Sequence, residues 1–235
     1  MPADAVVPVP VSMSNVTAAA IPWAAWTAYQ IVNHKCQVQA GDTVLVYGAS
    51  GGTGSFVTQF CKFKKAKTII AVCSGKNAEY VLSLGATHAA DYQTEDVMAR
   101  IKEIVGDAGV RVVVDLVGRT DTVTTCCSVL SYNGVVCPAA TPEGLDAAPL
   151  YDVIRKMNLH GKAASVCFVG FGGGHFSRPL VPYLEMMDVA REATKVIASA
   201  QLPVQVSQTV SLDEMSAALE LAAKMRTRGK VVLKF

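Results

Sequence analysis

The run DTVLVYGASGGTGSFVTQF, residues 42–60, constrains this chain more than any other stretch. A β-branched apolar segment, TVLVYG, leads into glycines at 48, 51, 52 and 54, and the next segment places Phe56, Val57, Phe60 and Phe63 on one helical face. Strand, glycine corner, helix is the context that a dinucleotide fingerprint requires. In that reading Gly51 permits a tight turn, Gly52 lets a diphosphate approach bare main chain, and Gly54 lets helix and strand pack closely. The helix start then offers free N–H groups and a partial positive charge to the phosphates.

The alternation continues along the chain. TIIAVC (68–73) precedes a helical stretch with Tyr80, Val81 and Leu84 that stops at Gly85. THAADY precedes the amphipathic EDVMARIKEIVG, RVVVDLVG precedes a helix near 121–130, and GVVCPAA and AASVCFVG bring the strands to six. Parallel neighbours need crossover connections, so this order predicts an α/β fold: a Rossmann-type, doubly wound parallel sheet with helices on both faces. It should occupy residues 41–170, after a lead-in and junction helix over 1–40. Over 171–235 we expect a connecting helix, a strand PVQVSQTVS, a helix opened by a Ser211/Glu214 capping box and running through Met225, and a final strand GKVVLKF. The last two strands do not continue the parallel rhythm.

Composition removes several function classes. With 51% hydrophobic and 17% charged residues in 235, the chain can bury a full core, and a net charge of +2 gives no general pull toward nucleic acid or anionic lipid. Lys62, Lys64, Lys65 and Lys67 form a small basic cluster, better explained by a helix C-terminus than by a phosphate backbone. The apolar stretch Val16 to Val32 is broken by Pro22, Thr27 and Gln30 and lacks a basic start, so neither a membrane span nor a signal peptide is expected. Trp23, Trp26 and Tyr29 within it, at helical spacing, read as core. The seven cysteines show no zinc-ligand spacing and lie mostly in apolar runs, as reduced core residues of a cytoplasmic protein do. His34, His88, His160 and His175 are scattered, and no residue stands out as a general acid or base; His175, in FGGGHF, is the one to test.

The end of the second strand bears on the choice of coenzyme. An NAD site carries an acidic residue about 20 positions beyond the glycines, to bond the ribose 2′-hydroxyl. Here that region reads Cys73-Ser74-Gly75-Lys76, without an acid. Ser74 can donate a hydrogen bond to a 2′-phosphate and Lys76 can offer charge, which favours NADP(H).

Taken together, IPWAAWTAYQIV (21–32), QAGDTVLVYGASGGTGSFVTQF (39–60), LGATHAADY (84–92), VRVVVDLVG (110–118) and GKVVLKF (229–235) closely resemble the zinc-independent quinone oxidoreductases, the zeta-crystallin-like group of the medium-chain dehydrogenase/reductase superfamily. The resemblance implies that Ser50, Gly51, Gly52 and Thr53 hold the pyrophosphate, and that Ser74, Lys76 and Tyr92 surround the adenosine ribose and its 2′-phosphate. It implies further that Ala139, Ala140 and Thr141, with Phe168 and Val169, line the nicotinamide by main-chain contacts, and it puts Thr27 near that ring. Such proteins open with a β-rich, GroES-like catalytic lobe; this sequence starts where that lobe is finishing, so its two C-terminal strands are expected to lack partners. The function implied is an NADPH-dependent reductase of quinones or other α,β-unsaturated carbonyls, acting on a small molecule without metal; the edge left by the sixth strand is expected to pair in a homodimer. A 2-enoyl thioester reductase and a non-catalytic NADPH-binding module are the alternatives. A short-chain dehydrogenase would need a Tyr-x-x-x-Lys pair, and Tyr151 has Arg155 at that offset.

Overall fold

The computed structural model describes residues 6–139, 165–166, 180–223 and 227–235. Six strands form one sheet: β1 (Thr43–Tyr47), β2 (Thr68–Cys73), β3 (His88–Asp91), β4 (Val110–Asp115), β5 (Leu130–Pro138) and β6 (Ser165–Val166). Their spatial order is β3-β2-β1-β4-β5-β6 and every neighbouring pair is parallel. This is the doubly wound order in which ligands bind outside the carboxyl ends of the strands, where the direction of winding reverses between β1 and β4.

The sequence pattern explains why the sheet is central. Successive residues of a strand face opposite sides, and both sides of β1, β2 and β4 are covered, so these three are near-continuous apolar runs rather than alternating. Val44, Val46, Ile69, Ala71, Val112 and Val114 enter one cluster, with α2 (Ala24–Tyr29), α3 (Gly52–Phe63) and α4 (Ala78–Ser83). Leu45, Ile70, Val72 and Val113 enter the other, with Ile101 of α5 (Val97–Val105) and Cys126 and Cys127 of α6 (Thr120–Ser128). Each fully buried Val or Ile stabilises by about 1.5–3 kcal/mol over its exposed form. The six-stranded sheet therefore holds the fold.

Helix α1 (Asn15–Ala19) is capped by Ser14, which accepts from the Thr17 N–H, and a π-helical turn, Gln30–Lys35, continues α2. Trp26 donates its indole N–H to Thr194 Oγ1 at 3.2 Å, tying α2 to the long α7 (Leu180–Ser199). Trp23 corrects its expected place in the core. It caps α2 with φ of 64°, so helical spacing does not extend back to it, and it lies 61% exposed. Phe63 is likewise half in solvent, at the residue where α3 ends. Among the described residues no helix is long and apolar enough to cross a membrane.

The C-terminal strands depart from expectation in an informative way. β7 (Val206–Val210) and β8 (Lys230–Leu233) pair with each other, in parallel, as a separate two-stranded sheet with α8 (Met215–Ala223) between them. They have partners because α8 supplies the crossover that parallel pairing needs. The capping box forms by half: Glu214 accepts from the Ser211 N–H at 2.8 Å, while the Ser211 hydroxyl donates to the same carboxylate. The end of this helix near Met225 lies outside the described residues.

Candidate cofactor site

The first strand-to-helix corner is built from main chain. The N–H groups of Gly48 and Ala49 both donate to the Val72 carbonyl, at 3.1 and 3.2 Å, and the Gly51 N–H turns back to the Gly48 carbonyl at 3.1 Å. The left-handed turn residue is Gly48, with φ of 76°, whereas Gly51 has φ of −73°. The turn role assigned to Gly51 therefore belongs three residues earlier, where the chain leaves β1. Gly54 behaves as expected: a Cβ there would collide with the Gly48 carbonyl oxygen and stand 2.7 Å from Ala49 Cα. No side chain caps α3 at Gly51, so its leading N–H groups face the mouth of the corner.

A Cβ on Gly52 would meet side chain rather than open space: Lys230 Cε at 3.0 Å and Cδ at 3.3 Å, with the Gly229 carbonyl at 3.5 Å. Gly51 and Gly229 form a parallel bridge, so the terminal strand β8 runs onto the glycine corner.

The second corner, after β2, gathers the residues expected around a ribose. Asn77 donates through Nδ2 to Ser50 Oγ at 3.1 Å and to Ser74 Oγ at 3.2 Å, linking the glycine corner to the end of β2. The Tyr92 N–H donates to the Cys73 carbonyl at 3.3 Å, which brings Tyr92, 59% exposed, beside Ser74. Arg228 reaches across from the C-terminal segment. Its Nε and one Nη donate to Asn77 Oδ1 at 3.1 and 2.9 Å, that Nη also donates to the Lys76 carbonyl at 3.1 Å, and the guanidinium stands 5.1 Å over the Tyr80 ring. Asp91, at the end of β3, accepts from the Gln93 N–H and the Thr94 hydroxyl, both at 3.0 Å. These bonds, that from Gln93 foremost, and a further one from the Gly75 N–H hold its carboxyl below the ordinary range. The structure thus gathers Ser50, Gly51, Gly52 and Thr53 at one corner and Ser74, Lys76 and Tyr92 at the adjoining one. It adds Asn77, Arg228 and Lys230, which sequence reasoning missed; the Arg228–Asn77 pair is 151 residues apart and has no local signature.

Farther along the carboxyl edge, the buried Asp115 accepts from the Val117 and Gly118 N–H groups at 2.9 and 3.0 Å and from the Thr122 hydroxyl at 3.1 Å. Its carbonyl receives the Ala139 N–H at 2.8 Å, which sets Ala139 at the end of β5 against the core. Ala140, Thr141, Phe168 and Val169 lie outside the described residues, as do His160 and His175. His34 tilts against Tyr29 with ring centroids 6.0 Å apart, and His88 sits where β3 enters the sheet, bonded to the Thr87 hydroxyl. Neither reaches the corners. Thr27 is buried on α2, and its Oγ1 has no hydrogen-bond partner among the described residues. The six described cysteines are buried, and desolvation pushes the thiols of Cys73 and Cys127 up to about 11. Among the described residues no three His, Cys, Asp or Glu side chains converge, so they present no zinc-ligand set.

Three comparisons fix the family. The family model described as "Zinc-binding dehydrogenase" matches residues 52–174, more than half of the chain. The quinone oxidoreductase-like protein 2 homolog of Nematostella vectensis is 25% identical over 233 residues, 99% of this chain and 61% of that protein. Quinone oxidoreductase 1 of Escherichia coli is 27% identical over 238 residues, 98% and 68% respectively. The solved quinone oxidoreductase from Coxiella burnetii superposes with a TM-score of 0.76 at 26% identity, over 97% of this chain and 63% of that one. The chain therefore spans between 61% and 68% of the length of these relatives. A winding reversal with a glycine corner at its mouth, matched along nearly the whole chain, places it in the zinc-binding dehydrogenase family, among the quinone oxidoreductase-like members of the medium-chain dehydrogenase/reductase superfamily.

Proposed function

We propose that this chain holds NADPH across the carboxyl ends of β1 and β2, and that the protein reduces a quinone or another α,β-unsaturated carbonyl. The observation that carries the coenzyme choice is the cationic corner after β2. Lys76 follows Ser74 by two residues and Arg228 donates to the Lys76 carbonyl, two cations against the one nearby carboxylate, Asp91, which its own loop holds ionised. A 2′-phosphate gains charge-assisted hydrogen bonds in such a place, whereas an acid at the end of β2 would repel it. The uncapped start of α3 and the main chain of Gly51, with the flexible Lys230 stem beside Gly52, suit the diphosphate.

The bound coenzyme supplies the hydride, which is the hard part of the chemistry. The chain's own residues bind and orient. Asn77 locks Ser50 to Ser74, so the phosphate and ribose corners keep a fixed separation. The end of β5, with Ala139, and the Asp115-capped turn after β4 form the floor toward which the nicotinamide end would extend. No described side chain at this floor offers a proton, so the carbonyl's proton comes from solvent or from residues outside those described.

The test is a titration of NADPH against NADH, followed by turnover with 9,10-phenanthrenequinone and with a 2-enoyl thioester. We expect NADPH to bind at least about tenfold more tightly, each charge-assisted contact contributing on the order of 1.5–3 kcal/mol. Lys76→Glu should erase the preference. Equal affinity for the two coenzymes would overturn the assignment. Tight NADPH binding with flat absorbance on both substrate classes would favour a non-catalytic binding module, and turnover of the thioester alone would favour an enoyl reductase.

A further inference from the structure

Among the described residues, the ammonium of Lys230 is set in an unusual place. Its stem lies across Gly52, at the first turn of α3, where the helix already presents positive charge. It makes no ion pair among the described residues, and burial pulls it below the ordinary lysine value. A half-buried cation without a counter-ion, set against a second positive end, is electrostatically unfavourable. An anion between them removes the conflict.

We propose that Lys230 is a phosphate-binding residue of the cofactor site, supplied by the C-terminal strand rather than by the Rossmann unit, which clasps the coenzyme diphosphate against the Gly51–Gly52 main chain. The bridge between Gly51 and Gly229 fixes its approach, and the Lys230 N–H, bonded to the Gln205 carbonyl at 3.0 Å, holds β8 to the segment before β7. The closed two-stranded sheet thereby carries the lysine to the corner. Gly229 is needed for this geometry: its φ is 78°, and a Cβ there would collide with the Gln205 carbonyl oxygen and crowd the Gln205 side chain.

This inference rests on the reading of the corner as a dinucleotide site, and the test separates the two. Calorimetric titrations of NADPH and of inorganic pyrophosphate are compared for the wild-type chain, Lys230→Met and Lys230→Arg. Lys230→Met keeps the packed stem and removes the charge. We expect it to weaken NADPH roughly tenfold to a hundredfold, with a shallower salt dependence, while Lys230→Arg recovers part of the loss. The melting temperature of ligand-free Lys230→Met should be equal to or above wild type, whereas a purely structural lysine would lower it. If NADPH binds the Met variant and wild type within twofold of each other, the proposal is overturned and the dinucleotide reading survives. If wild type binds pyrophosphate through Lys230 but neither coenzyme, the dinucleotide reading falls and the anion clasp stands. If wild type binds neither pyrophosphate nor coenzyme, both are overturned.

Discussion

At the residue scale, the cysteines show how little chemistry a reactive-looking side chain offers once it is dry. Burial is the leading cause of the raised thiol pKa at Cys61, Cys73, Cys126 and Cys127, with nearby carboxylates adding to it. A thiol at about 11 is almost wholly protonated at neutral pH, and only the thiolate is a nucleophile. Iodoacetamide at pH 7.5 should leave the six described cysteines unmodified in the native chain and alkylate all of them in denaturant, as peptide mapping would reveal. The same shifts set a pH dependence. Below the ordinary thiol value of 9.0, folded and unfolded chains both keep the proton and stability is flat on this account. As pH rises from there toward about 11 only the unfolded chain releases it, so the unfolded state binds fewer protons and stability falls. Urea midpoints measured at pH 8 and pH 10 should show that loss.

At the element scale, α3 and its glycine corner divide fold from function. Gly54 faces main chain that cannot yield, so Gly54→Ala forces helix and strand apart. Overpacking of that kind costs about 1–3 kcal/mol, and thermal unfolding should occur several degrees lower with or without ligand. Gly52 faces the flexible stem of Lys230 instead. Gly52→Ala should therefore melt close to wild type yet bind coenzyme more weakly, because its Cβ occupies the approach to the main chain. A pair of melting curves and titrations separates the two glycines; equal losses of stability would contradict this division. The periodicity of α3 was legible as far as Phe60, since Phe56, Val57 and Phe60 are buried where spacing put them. Its end was signalled by the lysine cluster and not by apolar spacing, which ran on to the half-exposed Phe63; Lys65, with φ of 61°, turns the chain just beyond it.

At the scale of the whole molecule, the unevenness of burial stands out. β1, β2 and β4 are buried along nearly their whole length, while α8 has no buried residue and β7 is exposed over most of its length. Met215, at 42% exposure, and Leu219, at 62%, lie four positions apart on one stripe of that helix, with Leu212 just ahead of it. An exposed apolar stripe should make the native chain bind a hydrophobic dye such as ANS, and Leu219→Glu should lower that fluorescence without shifting the melting temperature. An unchanged signal would mean that the stripe is covered in solution. The unit bearing α8 still reaches the site, since β8 brings Gly229 and Lys230 to the glycine corner and Arg228 to Asn77.

The α/β class, the six parallel strands and the glycine corner were readable in the linear chain because each rests on local rules. Strand and helix periods, crossover handedness and the steric freedom of glycine act over a few to a few tens of residues. The pairing of β7 with β8, the left-handed turn at Gly48 rather than Gly51, and the arrival of Arg228 and Lys230 beside residues far earlier in the chain were not readable. Those depend on where separate elements come to rest. Packing energy sets such positions, and residues 151 apart leave no trace in each other's neighbourhood.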